Sequence, residues 1–454
     1  MNTLYYQSDD IIYALATPFQ PSALAIIRVS GSGCKKRLST GFTRADALIS
    51  SPSHTLVYGK LFDIDTKEHI DEVVLSVFDE KRGYTGEESV EITCHGSLYG
   101  IETIFSLLKK LGMRSAQPGE FTFRAFRNGK VDLTQAEAVM EIVHSHSSRG
   151  HSLALHRLEG DLYRQMETLK GQVLDAMSSI EVQLDYAEDD FSDEILFPYD
   201  LIEKTLESVD SLIETYSVGR MYKDGAKIVI AGSTNAGKST LFNLLMKSER
   251  SIVSDIHGTT RDFIEGEGVI GSVPVVLYDT AGLRSSSDLI EAEGIRRSRN
   301  LMMSAHVIIL LVDADDDLSQ LQEHKELLED PRCIVVYNKC DIAQKAVSPD
   351  VISISAKKGE GFARLERAII EKIKKDMSAD RGDSLIIESA RQRDELVRAR
   401  TALSNSIRMA QEEIPLDLIA VEVQEALDAL GTLTGEVTSA DILENIFSGF
   451  CVGK

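Results

Sequence analysis

The 454-residue chain is short of cysteine, short of positive charge and without a long apolar run, and each shortage excludes something. Its five cysteines (Cys34, Cys94, Cys333, Cys340, Cys451) are scattered, odd in number and form no CxxC pair. That argues against a disulfide framework or a structural zinc site, and predicts a reducing, cytoplasmic setting. No apolar stretch approaches the roughly 18 residues that a membrane span needs. The longest, around Val307 to Val312, has the length of a strand. The N-terminus carries Asp9 and Asp10 and lacks the basic start and apolar stretch of a secretory signal. Lys and Arg total 49 against 72 Asp and Glu, a formal net charge of −23. The overall field of such a surface does not bind nucleic acid, so any RNA contact needs a local basic patch or a helper protein. The only basic-rich stretches outside the nucleotide motifs, Lys372–Lys375 and the arginines at 391–400, read as solvated helix faces. Internal repeats and low-complexity tracts are missing too. What remains is a globular composition, 43% hydrophobic and 27% charged, of a length that suggests about three domains.

The pattern changes along the chain. Up to about residue 118 it reads as α+β, with short β-type runs at Ala23–Val29 and Glu88–Thr93 and an amphipathic helix at Leu98–Leu111. From Leu133 to Tyr186 there is no proline. Apolar residues recur there at helical spacing: Leu153, Leu155, Leu158, Leu162, Met166, Leu169, Val173, Met177. These predict long helices, ended by an acidic loop (Glu188, Asp189, Asp190, Asp193, Glu194) and followed by more helix to about Val218. Residues 226 to about 376 alternate β-rich runs (Lys227–Ala231, Val273–Tyr278, Val307–Val312, Cys333–Tyr337) with helical segments, the signature of a parallel doubly wound sheet. Ser389–Met409 and Leu416–Leu430 are helical again. The economical arrangement inserts an α/β domain into a helical one. The expected segments are 1–118 (α+β), 119–220 (helical, first part), 221–378 (α/β) and 379–454 (helical, second part).

The strongest local signal is GSTNAGKS, Gly232 to Ser239, between an apolar strand and a helix. It fits the phosphate-binding loop: glycines let backbone N–H groups wrap phosphates, Lys238 places a charge at the β and γ phosphates, and the Ser239 hydroxyl can ligate Mg²⁺. Three more segments follow in order. Asp279-Thr280-Ala281-Gly282 ends a strand, with Asp279 on the magnesium shell and the Gly282 N–H toward the γ phosphate. Asn338-Lys339-Cys340-Asp341 offers a carboxylate that can accept both N1–H and the exocyclic amine of guanine, a pair that adenine does not present. Cys340 reads as a small filler. Ser355-Ala356-Lys357 completes the base pocket. The ordered set resembles the motifs of the Ras-like GTPase superfamily and predicts GTP contacts from Asn235, Ala236, Gly237, Lys238, Ser239 and Thr240. The loop Ser254, Asp255, Ile256, His257, Gly258, Thr259 and Thr260 adds to them, with Thr260 a second hydroxyl for Mg²⁺. Many such GTPases orient the attacking water with a glutamine after DTAG; here the position is Leu283, which cannot. Arg284, Asp288, Glu291 and Glu293 are the polar candidates nearby, and no Lys or Arg of the loop declares itself as a charge-neutralising finger.

Further motifs carry a narrower resemblance. They are Ala14-Leu-Ala-Thr-Pro18, Ile26-Ile-Arg-Val-Ser-Gly31, Gly83-Tyr-Thr-Gly-Glu-Glu-Ser-Val-Glu91 running on to Gly96, Pro118-Gly-Glu-Phe-Thr-Phe-Arg-Ala-Phe-Arg-Asn-Gly-Lys130 and the ending Phe450-Cys-Val-Gly-Lys454. Together with GSTNAGKST and DIHGTTRD they resemble the MnmE (TrmE) family of bacterial tRNA-modification GTPases, over essentially the full length. The resemblance implies an N-terminal dimerisation domain that binds 5-formyl-tetrahydrofolate and a helical domain interrupted by the GTPase domain. It also implies C5 modification of the wobble uridine of certain tRNAs together with the FAD-dependent partner MnmG, adding aminomethyl or carboxymethylaminomethyl groups. Hydrolysis would be activated by K⁺-dependent pairing of the GTPase domains in a homodimer. Carried over by position, K⁺ falls to Asn235, Ser254, Ile256 and Thr259, and water orientation to Glu291, with Glu293 a rival on the residues alone. The folate falls to Arg28, Glu91, Lys130 and Lys454, although Arg28 and Glu91 read equally as edge charges on strands. Cys451 is implied as a participant in the modification or a wall of the folate site, while beside Phe450 an isolated cysteine reads as buried filler. The alternatives are a ribosome-assembly or regulatory GTPase switch without modification chemistry, and a GTPase that only gates a partner's catalysis.

Overall fold

The computed structural model describes residues 10–145, 147–186, 197–233, 235–248, 264–279, 300–315, 325–343, 351–377 and 385–453. By contacts the chain forms two compact units. One comprises Met1–Met140, Arg157–Thr168 and Leu430–Lys454; the other comprises Glu141–His156 and Leu169–Ala429.

The first unit is built on a six-stranded sheet of β1 (Ile12–Leu15), β2 (Ser22–Ser30), β3 (Thr55–Phe62), β4 (His69–Phe78), β5 (Ser89–Gly96) and β6 (Arg114–Ser115), in the order β3-β4-β5-β2-β1-β6. Every pairing is antiparallel except β1 with β6. One face is covered by the helix Leu98–Lys110. Ser97 caps it by accepting from the Gly100 N–H, and Lys109 and Lys110 sit in its last turn, where the helix dipole favours cations. Ile101, Ile104, Leu107 and Leu108 share one stripe and are buried, each contributing roughly 1.5–3 kcal/mol. They join Ile27, Val29, Leu75, Val90 and Ile92 of the sheet in a single core. At the far end of the chain the helix Ala440–Ser448 brings Phe447 edge-on to Phe123, 5.4 Å between ring centres. The two meet because Gly119 lets the Phe447 carbonyl approach: a Cβ there would lie 2.4 Å from that oxygen.

The second unit holds the expected α/β sheet between helical stretches. Its strands are β7 (Ala226–Gly232), β8 (Ile264–Ile270), β9 (Val273–Asp279), β10 (Val307–Asp313), β11 (Cys333–Asn338) and β12 (Ile352–Ser353), ordered β12-β11-β10-β7-β9-β8. β7, β9, β10, β11 and β12 run parallel, while β8 is antiparallel to β9 at one edge. The sheet is thus not wholly parallel, and β8 escaped the sequence reading because its IEGEGVI run has glycines where strands favour branched residues. Packing explains one of them, since a Cβ on Gly266 would lie 2.7 Å from Met246 Sδ and 2.8 Å from Phe242 Cζ of the helix Lys238–Ser248.

The proline-free stretch forms three helices, Leu133–His144, Ser148–Leu158 and Asp161–Tyr186. Leu153, Leu162, Met166, Leu169, Val173 and Met177 are buried as their spacing requires, but Leu155 is 40% exposed. Two positions from Leu153 is about 200° around a helix, so both cannot face inward. The acidic cluster at 188–194 lies outside the described residues. The arginines of Ala390–Gln411 are engaged rather than merely solvated. Arg393 lies 4.8 Å from the Tyr216 ring, Arg398 pairs with Glu425 at 2.5 Å and Arg400 meets Asp210 at 3.8 Å. Among the described residues no helix is long and apolar enough to cross a membrane.

Where the chain returns from the α/β sheet, Ile387 donates its N–H to Thr215 Oγ1 at 3.1 Å and crosses the helix Tyr199–Asp224 at Gly219. A Cβ on Gly219 would lie 2.0 Å from the Ile387 carbonyl oxygen. Alanine would gain up to about 1 kcal/mol of helix propensity, but the overlap costs more, on the order of 1–3 kcal/mol. Gly219→Ala is expected to lower stability by about 1–2 kcal/mol, read from the urea midpoint of the full chain; a raised midpoint refutes the close approach.

Candidate functional site

From β7 the chain passes to β9 on one side and to β10 and β11 on the other. The carboxyl end of β7 is therefore the point where strand order reverses, the usual place for a ligand crevice. The GSTNAGKS loop starts there. Gly232 has φ 138° and passes so close to β10 that a Cβ would meet the Leu311 carbonyl oxygen at 2.1 Å. Asn235 tops the loop, exposed and in the left-handed region at φ 69°, which asparagine tolerates. Lys238 is buried, and its Nζ donates to the carbonyls of Gly232 at 3.1 Å and Ser233 at 2.8 Å, so the ammonium folds back across the loop it belongs to.

The other strand ends converge on this loop. Asp279, the buried last residue of β9, accepts from Ser239 Oγ at 2.7 Å. Two oxygens so placed fit a hard divalent cation. Asn338 ends β11 and is buried. Its Nδ2 donates to the Ala236 carbonyl at 2.7 Å, and its Oδ1 accepts from the Ala356 N–H at 3.0 Å. One amide thereby ties the phosphate loop to the Ser355-Ala356-Lys357 turn. Gly237 makes room for it, since a Cβ there would lie 2.3 Å from Asn338 Nδ2. Lys339 (φ 65°) reaches back to Asp313 Oδ2 at 2.5 Å. Cys340 is half-buried and donates its N–H to the Ile354 carbonyl at 3.1 Å. Lys358 Nζ lies 3.5 Å from Asp341 Oδ2, and hydrogen bonding from Ser355 holds the Asp341 carboxyl below the usual carboxylate range. Thr240 and Lys357 are exposed beside these groups. The structure thus brings Asn235, Ala236, Gly237, Lys238, Ser239, Thr240, Asp279, Asn338, Lys339, Asp341, Ser355, Ala356 and Lys357 to one edge of the sheet. The expected contacts at Ser254 to Thr260, at Thr280, Ala281 and Gly282, and at Glu291 lie outside the described residues. Asp313 and Lys358 were missed. The signal for Asp313 was present as the Asp that ends an apolar run, but its meaning needs the β10–β11 register, which pairs it with Asn338.

A second constellation lies in the first unit. Arg28 of β2 and Glu91 of β5 face each other across the ladder, Nε to Oε1 at 3.0 Å and Nη2 to Oε1 at 2.9 Å. They are not edge charges, because β2 and β5 are the two innermost strands of the sheet. Arg28 Nη1 also donates to the Gly453 carbonyl at 3.2 Å, so the end of the chain closes on this pair. Tyr84 and Phe121, which sequence reasoning missed, place their ring centres 5.3 and 5.7 Å from the Arg28 guanidinium carbon. Lys130 is exposed and donates to the Lys81 carbonyl at 3.3 Å; Lys454 lies outside the described residues. Cys451 corrects the filler reading. The turn after Phe450 carries it outward, and it is exposed while Phe450 is buried. Its neighbour Val452 lines a cavity of about 320 Å³ together with Tyr13, Leu15, Phe19 and Phe105.

Two expectations follow from this chemistry. Asp341 is depressed in the folded chain, so its ionised form persists as pH falls to the ordinary carboxylate range and is lost only beneath it. GDP affinity measured by calorimetry should therefore show no carboxylate step between about pH 8 and pH 5, while Ser355→Ala should move the acid loss upward. The terminal phosphate of GDP titrates in that window as well, so the assignment is contradicted by a step there that Ser355→Ala moves. Burial pushes the Cys34 thiol far up and that of Cys94 to about 11, which leaves both inert. Iodoacetamide on the native chain should label Cys451 first, by peptide mass, with Cys34 and Cys94 reacting only after denaturation.

The sequence profile of the MnmE helical domain matches residues 133–451, and that of the GTP-binding protein TrmE N-terminus matches residues 11–130. A tRNA modification GTPase MnmE of Borrelia recurrentis is 39% identical over 470 residues, covering 100% of both chains. Its counterpart in Treponema denticola is 39% identical and covers 99% of each, and that of Alkaliphilus oremlandii is 36% identical over 98% of this chain and 99% of its own. With two profiles spanning residues 11–451 and relatives 36–39% identical over essentially the full length, the chain belongs to the family of tRNA modification GTPases named MnmE.

Proposed function

We propose that this chain binds and hydrolyses GTP at the edge formed by β7, β9 and β11 and uses that cycle to modify C5 of the wobble uridine of certain tRNAs in the cytoplasm. The observation that carries the reading is the Asn338 amide, which joins the phosphate loop to the base turn in a chain whose relatives are named for this activity. Asp341 recognises guanine by accepting from N1–H and the exocyclic amine, and a competing base leaves those groups unpaired. Lys238 leaves its loop carbonyls for the β and γ phosphates. Ser239 and Asp279, with Thr260 of the Ser254–Thr260 loop, are the oxygens that would hold Mg²⁺, which when bound neutralises phosphate charge. Glu291 orients the attacking water. Asn235, with Ser254, Ile256 and Thr259, would hold K⁺ on pairing of the GTPase domains in a homodimer, and the ion would supply positive charge to the phosphates.

In the first unit, Arg28 and Glu91, with Lys130 and Lys454, take 5-formyl-tetrahydrofolate. Glu91 accepts from the amino edge of the heterocycle and the cations meet its carbonyl and carboxylate oxygens. Cys451, two residues before the Gly453 carbonyl that meets Arg28, is exposed and able to take part. The segments 1–118, 119–220, 221–378 and 379–454 serve as folate, helical, GTPase and helical parts, and the FAD-dependent partner MnmG shares the chemistry. Partner binding also answers the charge problem, since a chain of −23 approaches tRNA best through a helper or a local patch.

The test has two arms. GTP hydrolysis is measured in KCl and in NaCl, with the KCl rate expected to be at least tenfold higher, on the scale of one electrostatic contact to the transition state. Nucleosides of tRNA from cells lacking the gene are weighed, with the C5 group expected to be missing. Equal rates remove the K⁺ role, and unchanged wobble nucleosides remove the modification role.

A further inference from the structure

Two motifs have no part in the nucleotide site, Gly83–Glu91 and Pro118–Lys130, and the structure clasps them together. Arg124 is fully buried. Its Nη1 donates to Glu87 Oε2 at 3.1 Å and to the Asp10 carbonyl at 2.7 Å. Its Nη2 donates to Asp10 Oδ1 at 2.9 Å and to Glu120 Oε1 at 3.0 Å. Glu87 also accepts from Ser30 Oγ at 2.8 Å and from Arg127 Nη2 at 3.2 Å. Around this centre the Tyr84 and Thr122 hydroxyls share a 2.8 Å hydrogen bond, and Asn128 Nδ2 donates to the Thr85 carbonyl at 2.8 Å.

Stability alone does not account for the arrangement. Buried ion clusters are costly to desolvate, and apolar replacements of similar volume often do as well or better. Arg124 Nε is buried with no hydrogen-bond partner among the described residues, a further cost. What the cluster does supply is direction. It fixes the turn that carries Tyr84, whose ring lies beside the Arg28 guanidinium, and Phe121 on the helix of Arg124 flanks the same cation. The guanidinium is held by Glu91, by the Gly453 carbonyl and by two rings, and of these the Tyr84 ring keeps its place only while that turn does.

We propose that Arg124 and Glu87 form a latch that positions Tyr84, and through it Arg28, for recognition of a flat, anionic heterocyclic ligand of the reduced-folate class at the Arg28–Glu91 pair. The identity of the ligand rests on the folate reading above; the latch itself does not. Both are positioning residues, acting through Tyr84 and Arg28.

The experiment uses the full chain with Glu87→Gln, which keeps size and removes charge, and reads two quantities. One is the Kd for 5-formyl-tetrahydrofolate by calorimetry. The other is the rate of tryptic cleavage after Lys81 and Arg82, both exposed on the latched turn, by mass spectrometry. The latch gives an increase of about tenfold in Kd and about tenfold faster cleavage, with GTP hydrolysis unchanged. Unchanged values for both overturn it, and so does weaker binding without faster cleavage, because Glu87 then acts otherwise than by holding the turn. Should the unaltered chain take up no folate, the folate reading fails and cleavage alone decides the latch. Should Glu87→Gln fail to fold, Thr122→Val, which removes only the hydroxyl partner of Tyr84, is judged by the same two readouts and in the same directions.

Discussion

The nucleotide site depends on one buried amide. Asn338 is buried with a donor and an acceptor to satisfy, and it satisfies them on two different loops, the Ala236 carbonyl and the Ala356 N–H. Because an unmet buried polar group costs more than a met one gains, both loops are pinned wherever Asn338 is. The strand that ends in Asn338 is locked in parallel register with β10, so the pin is referred to the centre of the sheet. The Gly232–Ser239 loop and the Ser355–Lys357 turn are about a hundred residues apart in sequence, and this side chain ties them to one edge of the sheet. Gly237 is the complementary condition, for any side chain there would occupy the space of the amide.

The first unit solves a related problem with charge and aromatic surface. Its tail is anchored by Phe447 against Phe123 and by Phe450 beyond it, then turns so that the Gly453 carbonyl meets Arg28. Gly453 (φ 104°) can make that turn against the Leu15 carbonyl because it has no Cβ to collide. The aromatic anchor fixes where the tail lies. The ionic groups fix which way it faces. Cys451, between the two, is left on the surface while Cys34 and Cys94 are enclosed by the sheet and its helix.

Much of this was legible in residue order. The phosphate loop declared itself through GSTNAGKS between an apolar run and a helix, and the β-rich runs at 227–231, 273–278, 307–312 and 333–337 lie within β7, β9, β10 and β11. Other features were hidden for definable reasons. β8 carries two glycines, of which Gly266 makes room for the neighbouring helix, so its propensity points away from its structure. Leu155 followed the apolar list but faces solvent, because composition counts residues while a helix sorts them by angle. Arg28 and Glu91 read as edge charges until the sheet order placed their strands innermost.

The sequence by itself determined the chemistry available: a lysine and a serine in a glycine loop, an Asp three residues after an Asn, a net charge of −23, and the helix and strand periods that build each layer. Those depend on neighbours within one or two turns of chain, where spacing is geometry. Only the tertiary structure decided which of those groups share a site. Asn338 meeting Ala236, Lys339 meeting Asp313, and Arg28 meeting both Glu91 and Gly453 are contacts across strand register and chain ends. Such contacts form when separate apolar faces are buried together, and no local pattern records which polar groups that burial will bring face to face.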